Sequence, residues 1–80
     1  MPLSKPWRPL ERSTVGSVPD SYGVYELGDD EGTVIAVDAG PLRDALKEAI
    51  AYGDGSQVRW TATQNRAEAE RLLAEHRDRL

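Results

Sequence analysis

Two stretches of β-forming residues separated by a short turn are the clearest pattern in the first half of the chain. Residues 22–28 are β-formers at nearly every position, and residues 33–39 repeat this after the acidic, glycine-flanked turn 28–32. The run Val34–Val37 is apolar throughout, which predicts a central strand covered on both faces. Gly23 predicts a point where another group packs closely against the backbone. The pattern therefore predicts a β-hairpin.

The spacing of apolar residues becomes helical over residues 41–52. Pro41 suits the first helical position, where its missing amide hydrogen costs no bond. Gly53 predicts the C-terminal end of this helix, with the glycine itself in the left-handed conformation. One predicted buried stripe consists of Leu42, Ala45, Leu46, Ala49 and Ile50.

A third strand and a second helix complete the pattern. Residues 57–63 alternate, with Val58, Trp60 and Ala62 predicted on the core and Arg59, Thr61 and Thr63 predicted in solvent. Asn65 and Glu68 have the spacing of a capping box, so a helix is predicted over residues 65–79. Its inner face carries Ala69, Leu72, Leu73 and His76.

The order β-β-α-β-α predicts an α+β fold. We expect a three-stranded antiparallel or mixed sheet, the third strand beside the hairpin, with two packed helices. Eighty residues allow one small domain, placed at residues 20–80. Residues 1–19 hold four of the five prolines and are predicted to form an extended arm, with at most a short helical turn near 13–18. Trp7 and Leu10 either fasten this arm across the core or present it to a partner.

Composition narrows the function classes. The chain has no cysteine for disulfides or thiolate metal sites, so a partner or self-association is a plausible source of extra stability. The net charge is −4, and residues 20–56 carry nine acids against two bases, which disfavours binding to phosphate backbones. No apolar run reaches the ~20 residues of a membrane helix, and the N-terminus lacks the apolar core of a signal peptide. A cytoplasmic protein without membrane contact is expected.

The hairpin, helix and last helix together resemble the GIY-YIG nuclease family. The matching segments are Pro19 with Gly23-Val24-Tyr25, then Ala36-Val37-Asp38, then Leu42-Arg43-Asp44-Ala45-Leu46, and finally Glu68-Ala69-Glu70-Arg71-Leu72-Leu73. The match covers roughly residues 18–76 in order and spacing, although each motif alone is weak. The sequence around Trp7 and Tyr22–Leu27 is also similar to that of a set of short haloarchaeal proteins of unknown activity. The acidic composition with two lysines against eight arginines suits a halophilic or GC-rich source.

The resemblance implies a domain that has lost its chemistry. In the family, two tyrosines, an arginine and a metal-binding glutamate hydrolyse phosphodiesters, and among the corresponding positions only Tyr25 is retained. The other three positions hold Ala36, Ala45 and Leu73, so neither the guanidinium nor the cation that phosphoryl transfer requires has a side chain to supply it. Glu70 shares a helix face with Leu73 and is the one substitute ligand.

Other candidate chemistry is sparse. His76 is the only histidine and has no second histidine or cysteine beside it, so it is interpreted as a helix-face residue near the C-terminus. The acidic turn 29–31 is interpreted as solvated, with cation binding the less favoured alternative. We therefore expect no cofactor and no metal site.

Three functions remain open. The favoured one is a non-catalytic, GIY-YIG-like pseudoenzyme that acts as a protein-interaction or self-associating module, with Trp7, Arg8, Arg59 and Arg66 as candidate contact residues. The second is a divergent metal-dependent nuclease that uses Tyr25 and Glu70. The third is nucleic-acid binding through two basic groups, Lys5, Arg8 and Arg12 in the arm and Arg59, Arg66 and Arg71 in the C-terminal part.

Overall fold

A computed structural model describes residues 6–53 and 55–78. The fold is α+β, with four antiparallel strands and three helices in this part of the chain. The strands are β1 (Arg8–Pro9), β2 (Tyr22–Gly28), β3 (Val34–Pro41) and β4 (Gln57–Ala62). The helices are α1 (Arg12–Ser17), α2 (Leu42–Tyr52) and α3 (Arg66–Asp78). The predicted end of the last helix at residue 79 lies outside the described residues.

The strand order is β1-β4-β2-β3. The third predicted strand, β4, therefore lies beside the hairpin as expected, and it pairs with β2. The expectation that the apolar run Val34–Val37 forms a central strand is wrong: β3 is an edge strand, and Ile35 is 50% exposed. Strands β4 and β2 lie inside the sheet, and we call β2 the central strand because its residues 23–28 are almost all buried.

Residues 6–19 are not an extended arm, which corrects that expectation, although the short helical turn expected near residues 13–18 is present as α1. Strand β1 pairs with β4, with Arg8 opposite Val58, and α1 follows it directly. Val15 on α1 and Val18 after it are buried in the same apolar cluster as the core of α2. Leu10 packs against that cluster. The N-terminal segment is thus part of the domain, which the small core of an 80-residue chain favours.

The helices lie on opposite faces of the sheet. A Cβ placed on Gly23 would lie 2.8 Å from Leu42 Cδ1 of α2 and closer still to the carbonyl oxygen of Thr61, which explains why the predicted close approach requires glycine. Glu26, three residues along β2, instead contacts His76 of α3. Because alternate residues of a strand point to opposite faces, α2 and α3 cover different faces.

Local signals in the sequence set the ends of the elements. Asn65 accepts a hydrogen bond from the amide of Glu68 (2.9 Å), which confirms the predicted cap of α3. Gly53 ends α2 with φ of 66°, as predicted. In the hairpin turn the Asp29 carboxylate accepts hydrogen bonds from the amides of Glu31 and Thr33, both at 2.9 Å, while Gly32 takes a φ of 83°. The turn itself therefore engages this carboxylate.

Candidate functional site

One face of the sheet carries a buried ionic network, formed by Glu26, Arg59 and His76 with the ring of Trp7 stacked on it. The carboxylate of Glu26 is fully buried on the central strand. Arg59 Nε donates to Glu26 Oε1 (2.5 Å), and His76 Nε2 lies 2.7 Å from Glu26 Oε2. Both oxygens of the Glu26 carboxylate are thus within hydrogen-bond distance of a nitrogen of another side chain.

Strand register and helix geometry bring these groups together. Glu26 lies directly opposite Arg59 in the β2–β4 ladder, so the two side chains leave the same face of the sheet. His76 reaches them from the inner face of α3, where its side chain is 4% exposed. The guanidinium of Arg59 lies 4.1 Å from the centre of the Trp7 ring, a cation–π contact that covers the network at its outer end.

The geometry of the ionic network fits a structural role better than a catalytic one. A carboxylate beside an imidazole can serve as a proton-transfer pair, but such a pair must reach the proton that it moves. Glu26 is 0% exposed and His76 5% exposed, so the structure presents neither group to a substrate. Desolvating a carboxylate costs several kcal/mol, and bonds to cationic partners offset that cost.

The sequence interpretation missed this network. His76 was correctly placed on the inner face of α3, but Arg59 was predicted to face solvent and its side chain is only 14% exposed. Glu26 was not singled out, although a lone acid inside a strand of β-formers was the available signal. The predicted solvent face of β4 is in fact covered by Trp7 and by helix α3.

The candidate residues of the resemblance do not form one site. Tyr25 is half-buried, packs against the core cluster beside α2, and lies opposite Trp60 in the ladder. Glu70 belongs to α3 on the other face, and its carboxylate forms an exposed ion pair with Arg66 (3.2 Å). The sheet therefore separates Tyr25 from Glu70, and it also separates Tyr25 from Leu73 on α3.

The four candidate contact residues divide between two surfaces. Trp7, Arg8 and Arg59 come together at the β1 edge, where Arg8 lies 5.7 Å from the ring centre of Trp60. Arg66 instead lines a separate pocket of about 340 Å³ with Tyr22, Pro41 and Glu70. Lys5, predicted as part of the basic arm, lies outside the described residues.

A cleft between α1 and α2 is the largest concave feature among the pockets described. We call it the α1–α2 cleft; its volume is about 530 Å³ and its lining residues are Arg12, Val15, Gly16, Arg43, Lys47, Ile50 and Ala51. The floor is apolar, the rim carries three cations, and none of these lining residues is acidic. A concave apolar surface with a few converging polar groups is the usual form of a binding site.

The three cations of the cleft differ from Arg59 and Arg66 in having no carboxylate partner among the described residues. Arg59 and Arg66 each form an ion pair, with Glu26 and Glu70. Within residues 6–53 and 55–78, Arg12, Arg43 and Lys47 form no ion pair. Arg43 Nε donates to the carbonyl oxygen of Val18 (2.8 Å), which holds its guanidinium at the rim.

The described part of the chain contains no cluster of three or more His, Asp or Glu side chains arranged to hold a metal ion. In the same residues, no helix combines the length and apolarity needed to cross a membrane.

Sequence comparison then assigns the family. A family model described as a domain of unknown function, DUF7508, matches residues 1–79, so the chain belongs to that family. No curated protein and no solved structure gives a significant match.

Proposed function

We propose that this domain is a non-catalytic protein-interaction module whose partner docks in the α1–α2 cleft. The observation that carries the proposal is the cleft itself: an apolar floor rimmed by Arg12, Arg43 and Lys47 in a protein of net charge −4. Apolar area supplies affinity and unsatisfied charges supply specificity, which is the composition expected of a recognition surface.

The placement of the GIY-YIG-like positions supports a role without catalysis. Ala45 and Leu73 stand where the resemblance expects an arginine and a glutamate, and Leu73 lies across the sheet from Tyr25. Phosphoryl transfer needs its charged groups converging on one reacting centre. The GIY-YIG-like ancestry remains part of the proposal, supported by the element order from β2 to α3.

The proposal favours a protein over a nucleic acid as the partner. Arg59 and Arg66, two arginines of the predicted nucleic-acid surface, are already paired with carboxylates. Neutralised cations release no counterions from a phosphate backbone and contribute little to its binding.

The proposal also favours a different protein over a second copy of the chain. The edge strand β3 would be the natural place for copies to pair, yet its backbone is partly occupied. Arg77 Nη2 donates to the carbonyl oxygen of Val37 (3.3 Å), Asp38 accepts from the amide of Ala39 (2.8 Å), and Pro41 has no amide hydrogen. Charges and proline on an edge strand oppose edge-to-edge association.

Site-directed photo-crosslinking in the native host tests the proposal. A photoreactive phenylalanine analogue at Ala51, in the cleft, should yield a discrete protein adduct, whereas the same analogue at exposed Ala67 on α3 should not. The adduct should disappear when Gly16→Leu fills the cleft, and the identified partner should bind the purified wild-type domain but not that variant. Equal adducts at both positions, adducts only between copies of this chain, or none at all would refute the proposal.

A further inference from the structure

Two cations on the rim of the α1–α2 cleft are spaced by one helical turn. Arg43 and Lys47 are four residues apart on α2, so their side chains leave the same side of the helix about one turn apart, close to 6 Å along the axis. Arg12, at the start of α1, lines the opposite wall of the same cleft. A partner helix with carboxylates at i and i+4 presents negative charges at the same spacing.

The floor of the cleft continues this periodicity. Ile50 and Ala51 follow Lys47 by three and four residues, so they extend the same side of α2 by one more turn. Gly16 lines the α1 wall of the cleft, and a Cβ placed on it would meet nothing within 4 Å. The small residues Gly16 and Ala51 therefore leave room for an aliphatic side chain from outside.

The cations that line the cleft favour a negatively charged partner, even though the protein as a whole is acidic. Exposed charges farther apart than about 8 Å are largely screened at physiological ionic strength, so the charges that line the cleft matter most to a group held in it. The lining residues include three cations and no acid, so a bound carboxylate meets positive charge on both walls. A basic segment would instead add positive charge to cations that have no acidic partner among the described residues.

We infer that the α1–α2 cleft receives an acidic amphipathic helix of a partner protein. Two carboxylates one turn apart pair with Arg43 and Lys47, and an aliphatic anchor one further turn along packs over Ile50 and Ala51. This inference rests on the proposed function and specifies the chemistry of its partner. It is the helix-in-groove mode of recognition, with charge fixing the register.

Three synthetic helices test it against the purified domain. Each has about 18 residues, enough to hold some helix in water, and carries two leucine anchors; two positions at i and i+4 are Glu, Gln or Lys. Binding is followed by calorimetry and by ¹⁵N chemical-shift mapping. The Glu helix should bind with shifts confined to α1 and α2, the Gln helix at least about tenfold more weakly, and the Lys helix not at all.

Matched variants separate the cleft from general electrostatics. Arg43→Gln with Lys47→Gln should weaken the Glu helix by at least about tenfold, and Gly16→Leu should abolish its binding. The control, Arg66→Gln with Arg71→Gln, removes the same charge from exposed positions on α3 and should change binding less than about twofold.

Each contrary outcome has a distinct meaning. If the Gln or Lys helix binds as well as the Glu helix, or if the shifts map to another surface, the inference of an acidic helix is overturned. If no helix binds while a crosslinked partner is lost in Gly16→Leu, the inference fails and the proposed function stands. If neither helix nor partner engages the cleft, both fail.

Discussion

Glu26 and Leu27 are neighbours on β2, are 0% and 4% exposed, and lie on opposite faces of the sheet. On the α1–α2 side, Leu27 joins an apolar cluster with Leu42, Leu46 and Val58, which all are 0% exposed. On the α3 side, Glu26 is surrounded by charged and aromatic groups. At these two neighbouring residues, β2 is thus buried by apolar contact on one face and by ion pairing on the other.

The two faces therefore contribute differently to the stability of the domain and to the register of its strands. Apolar side chains tolerate small shifts, because the hydrophobic effect depends on area rather than direction. The ionic network does not, since a one-residue slip of β2 would turn Glu26 toward the apolar cluster and leave Arg59 without it. The α3 face therefore fixes the register of β2 against β4, while the α1–α2 face supplies much of the buried apolar area.

The largest expected effect comes from breaking the ionic network at one member. Arg59→Leu leaves the buried Glu26 carboxylate without its guanidinium and should lower the free energy of unfolding by about 3–5 kcal/mol. Urea unfolding followed by circular dichroism measures the loss. The triple variant Glu26→Leu, Arg59→Leu, His76→Leu removes every charge of the network and should recover most of it. A single variant that loses under about 1 kcal/mol would show that the network is not a constraint.

Truncation on the apolar face should cost somewhat less. Leu46→Ala removes a fully buried side chain of α2 and should lower the free energy of unfolding by about 3 kcal/mol, through lost burial and the cavity left behind. The matched control is Ile35→Ala on the edge strand, where half the side chain is already exposed; thermal unfolding should show less than about 1 kcal/mol. Equal losses at the two positions would contradict the assignment of β3 to the edge.

The backbone contact between the sheet and α2 gives a smaller effect. Gly23→Ala places a methyl group against Leu42 and the carbonyl oxygen of Thr61, so it should destabilise the domain by about 2 kcal/mol. Gly16→Ala is the control, because a methyl group there meets nothing and alanine favours a helix; it should stabilise by about 0.5–1 kcal/mol. Calorimetric melting of the two variants should therefore shift in opposite directions.

The exposed ion pair on α3 should matter least. Arg66 and Glu70 are 74% and 60% exposed, so Arg66→Ala should change the free energy of unfolding by less than about 0.5 kcal/mol. Comparing its melting temperature with that of Arg59→Leu contrasts a solvated pair with a buried one at equal change in net charge. A loss close to that of Arg59→Leu would remove the distinction between the two.

Local sequence signals predicted much of this fold. The hairpin, the strand at 57–63 and both long helices lie within two residues of the structure at the described ends, because alternation, capping residues and glycine act locally. Strand order does not follow from such signals. The apolar run in β3 suggested a central position, but the central strand proved to be the one that contains a glutamate.

The candidate site was harder to predict because it depends on contacts between distant residues. Arg43 and Lys47 were visible at helical spacing, but Arg12 joins them only because α1 packs beside α2. Proline-rich composition predicted an extended arm with a possible short helical turn near residues 13–18, but not that this turn would pack into the core beside α2. Similarly, the role of Glu26 depends on its contacts with Arg59 and His76, which are distant from it in the sequence.

The sequence separation within the ionic network bears on synthesis of the protein. Glu26 and His76 are 50 residues apart, so a nascent chain contains the carboxylate long before it contains the imidazole. The α1–α2 face can assemble once β4 has been translated, whereas the α3 face must wait for the last helix. Any product that terminates before α3 would leave Glu26 without its histidine partner and that sheet face without its helix. Chains with such exposed surface are prone to aggregation and to proteolysis.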